Sequence, residues 1–158
     1  MIQVGDTVPS QPLQQLSAEG MKSWNLAEDF AGKNIVLFAV PGAFTPTCSE
    51  QHLPGFIEHY TQFKEQGIDA IICLSVNDAF VMKAWGEAQN AGEVMMLADG
   101  DGAFTKAMGL DKETGSFGGV RSQRYAMLVK DGKVTELLVE EPQTFDVSRA
   151  EVVLEKIV

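Results

Sequence analysis

A cysteine, two prolines and a helix start converge in one short stretch, Pro41-Gly42-Ala43-Phe44-Thr45-Pro46-Thr47-Cys48-Ser49-Glu50-Gln51-His52. Such a stretch suits nucleophilic chemistry, because the thiolate is the reactive form of cysteine and a helix N-terminus favours an anion. Thr47-Cys48-Ser49-Glu50 reads as a capping box, with Thr47 as N-cap and Glu50 at the third helical position. Cys48 is then expected as the first helical residue, beside backbone N–H groups that lack a partner within the helix. Pro41 and Pro46 stiffen the turn and restrict the residues before them, and Gly42 lets the backbone come close to a small ligand. The expectation is an ionised sulfur at the mouth of a rigid turn.

Other candidates rank lower. Cys73 lies inside Ile71-Ile72-Cys73-Leu74 and reads as a small apolar side chain in a core strand. His52 follows Cys48 by one helical turn, so a Cys–His dyad is conceivable. Pro54 should kink the helix just beyond it, however, and His52 is expected to order that bend. Asp99-Gly100-Asp101-Gly102 only faintly resembles a calcium loop, whose twelfth position here is Leu110, so Asp101 reads as a helix N-cap. His52, His59 and the scattered cysteines show no zinc spacing, and no metal is expected. Arg121 and Arg124 form a local basic spot between Val120 and Arg124.

The elements that must position these residues are legible. Asn34 to Val40 is a continuous apolar run, as expected for a strand buried on both faces. Gly67 to Val76 repeats that character, and Val94 to Ala98 gives a shorter run. Helical stretches fall between them at Cys48 to Gln66, Asp78 to Asn90 and Asp101 to Met108, so βαβ units and a mainly parallel sheet are expected. The first thirty residues look loop-like, with at most short strands. Near the end, Arg124 to Val129 and Val134 to Val139 flank Lys130-Asp131-Gly132-Lys133, a strong hairpin signal, and Ser148 to Ile157 closes as a helix. This is the thioredoxin-like α/β plan, a central mixed sheet flanked by helices in a single domain over residues 1–158.

Composition narrows the partners. A net charge of −10 repels phosphate backbones and anionic headgroups, so neither nucleic acid nor membrane is an expected partner. The apolar runs are too short to span a bilayer, and the first residues show no basic or apolar leader. Two cysteines without a CxxC pair suit reduced thiols, and a cytoplasmic location is expected.

The string Pro41-x-x-x-Thr45-x-x-Cys48 resembles the active-site signature of the peroxiredoxins. With His52-Leu53-Pro54-Gly55-Phe56, Cys73 to Met82, Asp99 to Lys106 and Arg121 to Gly132, the chain is similar to the peroxiredoxin 5, or type II, subfamily from about residue 3 onward. The resemblance implies a peroxidase that reduces hydrogen peroxide and organic hydroperoxides without a cofactor. It implies Cys48 as peroxidatic nucleophile, Thr45 as the hydroxyl bridging peroxide and thiolate, and Pro41 as a shield against water. Arg124 matches the arginine that polarises the peroxide and stabilises the thiolate. Gly42, Thr45, Cys48 and Arg124 are thus the expected substrate-binding residues, with backbone N–H groups near Gly42 and Cys48 as further donors.

The chain also departs from the subfamily. Some members carry a resolving cysteine before the last helix, where Val147-Ser148-Arg149 stands here. Plant-like members carry a second cysteine at the spacing of Cys48 and Cys73, but a strand-buried Cys73 is not expected to reach Cys48. A one-cysteine mechanism is therefore favoured, recycled by glutathione and glutaredoxin, with thioredoxin as the alternative reductant. A non-catalytic redox sensor is the alternative function. Exposure of Phe44 and Phe117 would suit the homodimer contact that family members use.

Overall fold

A computed structural model describes residues 1–157. An antiparallel hairpin, β1 (Leu13–Ser17) and β2 (Gly20–Trp24), and a short helix α1 (Leu26–Asp29) precede β3 (Asn34–Ala39). A π-helical segment, Cys48–His52, leads into α2 (Leu53–Glu58) and α3 (Tyr60–Glu65). Then come β4 (Ala70–Ser75), α4 (Ala79–Ala88), β5 (Met95–Ala98), α5 (Ala103–Met108), β6 (Asp111–Glu113) and β7 (Val120–Ser122). The hairpin β8 (Tyr125–Lys130) and β9 (Lys133–Val139) and the helix α6 (Ala150–Ile157) complete the order.

Seven strands form one sheet in the order β2-β1-β5-β4-β3-β8-β9, and β6 and β7 pair separately. Only β3–β4 and β4–β5 are parallel, so parallel pairing is confined to the centre of a mixed thioredoxin-like sheet. The outer pairs are antiparallel because hairpins, not crossover helices, connect β1–β2 and β8–β9. The β8–β9 hairpin turns through Asp131 and Gly132, at φ +50° and +77°, values that Asp-Gly tolerates where most residues do not.

Alternation along β3 explains its unbroken apolar run. Val36, Phe38 and Val40 enter one core with Cys48, Phe56, Trp85 and Val153. Ile35, Leu37 and Ala39 enter the opposite core with Leu26, Phe104 and Tyr125. Both faces are covered, so neither set can be polar. The same alternation puts Cys73 of β4 in the core that holds Cys48.

Register fixes where the functional edge lies. Ala39 pairs with Leu74 in parallel and with Tyr125 in antiparallel, while Tyr125 also pairs with Val139. The ends of β3, β4 and β9 and the start of β8 therefore share one sheet edge. Residues just beyond those points, from Pro41, Asn77, Arg124 and Glu140, must meet there. This is the carboxyl edge of the parallel strands, where open α/β sheets bind their ligands.

Candidate active site

The helix carrying Cys48 starts two residues earlier than its capping-box pattern predicts. Pro46 is already helical, and Thr47 has helical angles (φ −62°, ψ −37°) and no capping hydrogen bond. Proline's fixed φ suits the first helical position, and that preference outweighs the Thr47–Glu50 pattern. Thr45 becomes the residue before the helix: its carbonyl accepts from Ser49 N at 2.9 Å, and its hydroxyl donates to Gly42 O at 2.6 Å. Cys48 thus sits in the first turn, at the third helical position rather than the first.

Proline accounts for the next irregularity as well. Pro54 has no N–H to donate into the helix, and the chain widens into a π-helical turn in which Leu53 N–H reaches Cys48 O. The expected kink is absorbed there, and a turn at His59 separates α2 from α3 instead of one helix to Gln66. Elsewhere at this edge, Asn77 Oδ1 accepts from Ala43 N at 3.0 Å, which braces the loop between β3 and Cys48 from the end of β4. A Cβ at Gly42 would lie 3.2 Å from Thr45 Cγ2, so glycine keeps this turn tight. Asp99, not Asp101, supplies the main caps of α5, accepting from Phe104 N and Thr105 N at 3.1 and 2.8 Å.

Arg124 reaches the sulfur: its Nη2 donates to Cys48 Sγ at 3.2 Å. Its Nη1 lies 2.9 Å from His52 Nδ1, and His52 Nε2 lies 3.0 Å from Ser148 O. These contacts fix the imidazole. A guanidinium has only donors, so Nδ1 must accept; a carbonyl only accepts, so Nε2 must carry the proton. His52 is neutral here, and its pKa falls to about 3 through burial first and the Arg124 charge second, against opposing contributions from Ser148 and Glu140. His52 therefore does more than order the bend, because it holds the far side of the arginine. Arg121, the other member of the basic spot, donates to Val76 O and Gly118 O instead.

Burial corrects one expectation. Cys48 is 0% exposed, so the sulfur lies beneath the turn and not at its open mouth. A cleft of about 580 Å³ is lined by Pro41, Thr47, Gln51 and Arg124 together with the stretch from Glu140 to Phe145. At the third helical position, instead of the first, Cys48 packs into the core with Phe38, Phe56 and Trp85. Thr45, half-buried, commits its only hydroxyl proton to Gly42 O, so it can meet an incoming O–H only as an acceptor.

Cys73 differs from Cys48 in its surroundings. It is a free thiol, also 0% exposed, on strand β4, and burial, with a smaller push from Cys48, raises its pKa well above the usual thiol value. Among the described residues no cluster of His, Cys, Asp or Glu could hold a metal ion, and no helix is long and apolar enough to cross a membrane.

The chain is similar to known proteins in sequence and in fold. The Redoxin family matches residues 3–154. Peroxiredoxin-2E-2, chloroplastic, of Oryza sativa subsp. japonica is 49% identical over 162 residues, covering 97% of this chain and 71% of that protein. The chain belongs to the peroxiredoxin family. As a peroxiredoxin it is a thiol peroxidase on a thioredoxin-like fold. Among solved structures, reduced Prx3 from Vibrio vulnificus in complex with H2O2 is 59% identical, with a TM-score of 0.98 over 100% of both chains. Peroxiredoxin 5 from Alvinella pompejana is 35% identical, with a TM-score of 0.87 over 99% of this peroxiredoxin and 98% of that chain. The type II assignment drawn from Pro41 to Phe56 holds.

The neutral His52 carries a prediction. Its pKa is about 3 when folded and about 6.5 when unfolded, so between those values the unfolded chain binds a proton that the folded chain refuses. Stability must fall as pH drops through that window, by about 2 kcal/mol between pH 6.5 and 5 at 1.36 kcal/mol per unit. His52→Gln keeps a donor for Ser148 O and an acceptor for Arg124, yet cannot titrate. Urea unfolding from pH 7 to 5 should show a steeper loss for wild type than for His52→Gln, and parallel curves would refute the assignment.

Proposed function

We propose that Cys48 is the peroxidatic nucleophile of a one-cysteine peroxidase that reduces hydrogen peroxide and small organic hydroperoxides. The 3.2 Å contact between Arg124 Nη2 and Cys48 Sγ carries this reading, because it sets a charged donor at the atom where a peroxide would react. The thiolate attacks the nearer peroxide oxygen, an S–O bond forms, and the O–O bond breaks. Cys48 becomes a sulfenic acid, and the departing oxygen takes a proton to leave as water or alcohol. Arg124 and the first-turn N–H groups face the charge that develops, each such donor contributing a few kcal/mol as an order of magnitude. The Thr45 oxygen orients the peroxide by accepting its O–H, Gly42 keeps the backbone close, and Pro41 covers the sulfur against water. No cofactor enters the reaction.

The buried sulfur favours small peroxides that pass between Pro41, Thr47 and Arg124. The H2O2 complex of the Vibrio vulnificus relative supports that size class. An external thiol then condenses with the sulfenic acid, releasing water and leaving a mixed disulfide, and a second thiol exchanges it to restore Cys48. Glutathione with glutaredoxin is the proposed reductant, since Cys73 is buried with a raised pKa and Ser148 replaces a late cysteine. Turnover with purified glutaredoxin and glutathione should exceed turnover with a thioredoxin system; the reverse order would reassign the reductant.

Further proposals concern the assembly and its setting. A single domain over residues 1–158 acts in the cytoplasm as a homodimer. Phe44 and Phe117, 56% and 86% exposed, offer the apolar surface for a second copy. Sedimentation at the 17.2 kDa monomer mass across micromolar concentrations would contradict the dimer.

A further inference from the structure

Beyond His52 the polar chain continues to a carboxylate that no step of peroxide chemistry uses. Glu140, 8% exposed at the end of β9, makes four side-chain hydrogen bonds. Its Oε2 accepts from Asp146 N at 2.6 Å, Ser148 N at 2.9 Å and Ser148 Oγ at 2.7 Å. Its Oε1 accepts from Thr144 Oγ1 at 3.0 Å. The same residue's backbone N–H donates to Arg124 O at 3.0 Å.

We propose that Glu140 is a positioning residue for the peroxidatic centre, holding the 144–148 loop so that Ser148 O fixes His52, and His52 in turn aims Arg124 at Cys48. Glu140 thus grips Arg124 twice: directly through the main chain, and through Ser148 and His52 at the guanidinium. The loop needs such a clamp. Gln143, immediately before it, adopts φ +63°, a left-handed conformation that side-chain-bearing residues hold only when their surroundings impose it. Burial pushes the Glu140 pKa up, but hydrogen bonds from Ser148, Asp146 and Thr144 outweigh it and hold the carboxyl below its usual value. The three donors on Oε2 need an acceptor oxygen at that position, which the carboxylate supplies. Without it, Ser148 O would move and His52 would lose the partner that keeps its proton on Nε2. Arg124 would then face an imidazole free to turn a donor toward it.

This proposal rests on Cys48 and Arg124 acting as proposed for peroxide reduction. The test compares Glu140→Ala and Glu140→Gln with wild type by stopped-flow oxidation with H2O2 and by the ¹⁵N shifts of His52. Glu140→Ala should oxidise at least about tenfold more slowly, as misplacement near 1 Å at a reacting centre does, with His52 shifts averaged between tautomers. Glu140→Gln keeps an acceptor oxygen for Ser148 and Asp146 and should recover to within about threefold of wild type. An alanine variant that matches wild type in rate, slows with unchanged His52 shifts, or is no slower than the glutamine variant would overturn the proposal. Should Glu140→Ala fail to fold, Glu140→Asp, which withdraws the carboxylate by one methylene, takes its place in the same comparison. If wild type itself does not react with H2O2, the assignment of Cys48 fails instead, so the two failures are distinguishable.

Discussion

Cys48→Ser is expected to lower the second-order rate constant with hydrogen peroxide by at least about four orders of magnitude, as loss of a nucleophile does elsewhere. A serine hydroxyl stays protonated at neutral pH and cannot attack the O–O bond, whatever Arg124 does. Cys73→Ala should stay within about threefold of wild type, because a buried, protonated thiol is inert. Alanine is the better replacement there, since a serine hydroxyl in the core between β3 and α4 would cost about 1–3 kcal/mol if left unpaired. Trp85 supplies the signal for both measurements. It is fully buried, its indole N–H donates to Ser49 Oγ at 3.0 Å, and Ser49 directly follows Cys48 in the chain. If Cys73→Ala abolished turnover with every reductant, the one-cysteine scheme would be wrong.

Arg124→Ala is expected to slow peroxide reduction by about 10²–10³-fold, the range seen when one preorganised donor is removed from developing negative charge. Two contacts vanish together, to Cys48 Sγ and to His52 Nδ1. Arg124→Lys separates charge from geometry. A single ammonium cannot place two fixed donors on Sγ and Nδ1 at once, as the guanidinium fork does. Lysine should therefore recover only part of the rate. Full recovery would mean that charge alone suffices and that the His52 contact contributes nothing to catalysis.

The legible parts of the fold were those with a local signature. Asn34 to Val40 announced a strand by being apolar at every position, and Asp131-Gly132 announced a hairpin because few other pairs adopt its angles. From those two elements and antiparallel pairing, Arg124 follows to the edge beside Pro41. Local competition hid other features. Pro46 moved the helix start from Thr47 to Thr45, and Pro54 produced a π-turn where a kink was expected. Burial of Cys48 followed from that shift, and sequence alone placed the sulfur too far out. Long-range partners left no trace in spacing. His52 lies on the π-helical turn, Glu140 and Ser148 lie in the stretch between β9 and α6, and only that returning chain brings them to Arg124. Asn77 escaped notice for the same reason, since its partner Ala43 lies across the parallel pair β3–β4.

Mass spectrometry of the reduced protein, mixed with one equivalent of hydrogen peroxide and a sulfenic-acid trapping reagent, examines the arginine-held sulfur most directly. The adduct should appear on Cys48 within the mixing time and in near-stoichiometric yield, with Cys73 still a free thiol. Preferential labelling of Cys73, or a Cys48 that stays reduced while peroxide persists, would contradict the placement of the reaction at the first turn after β3.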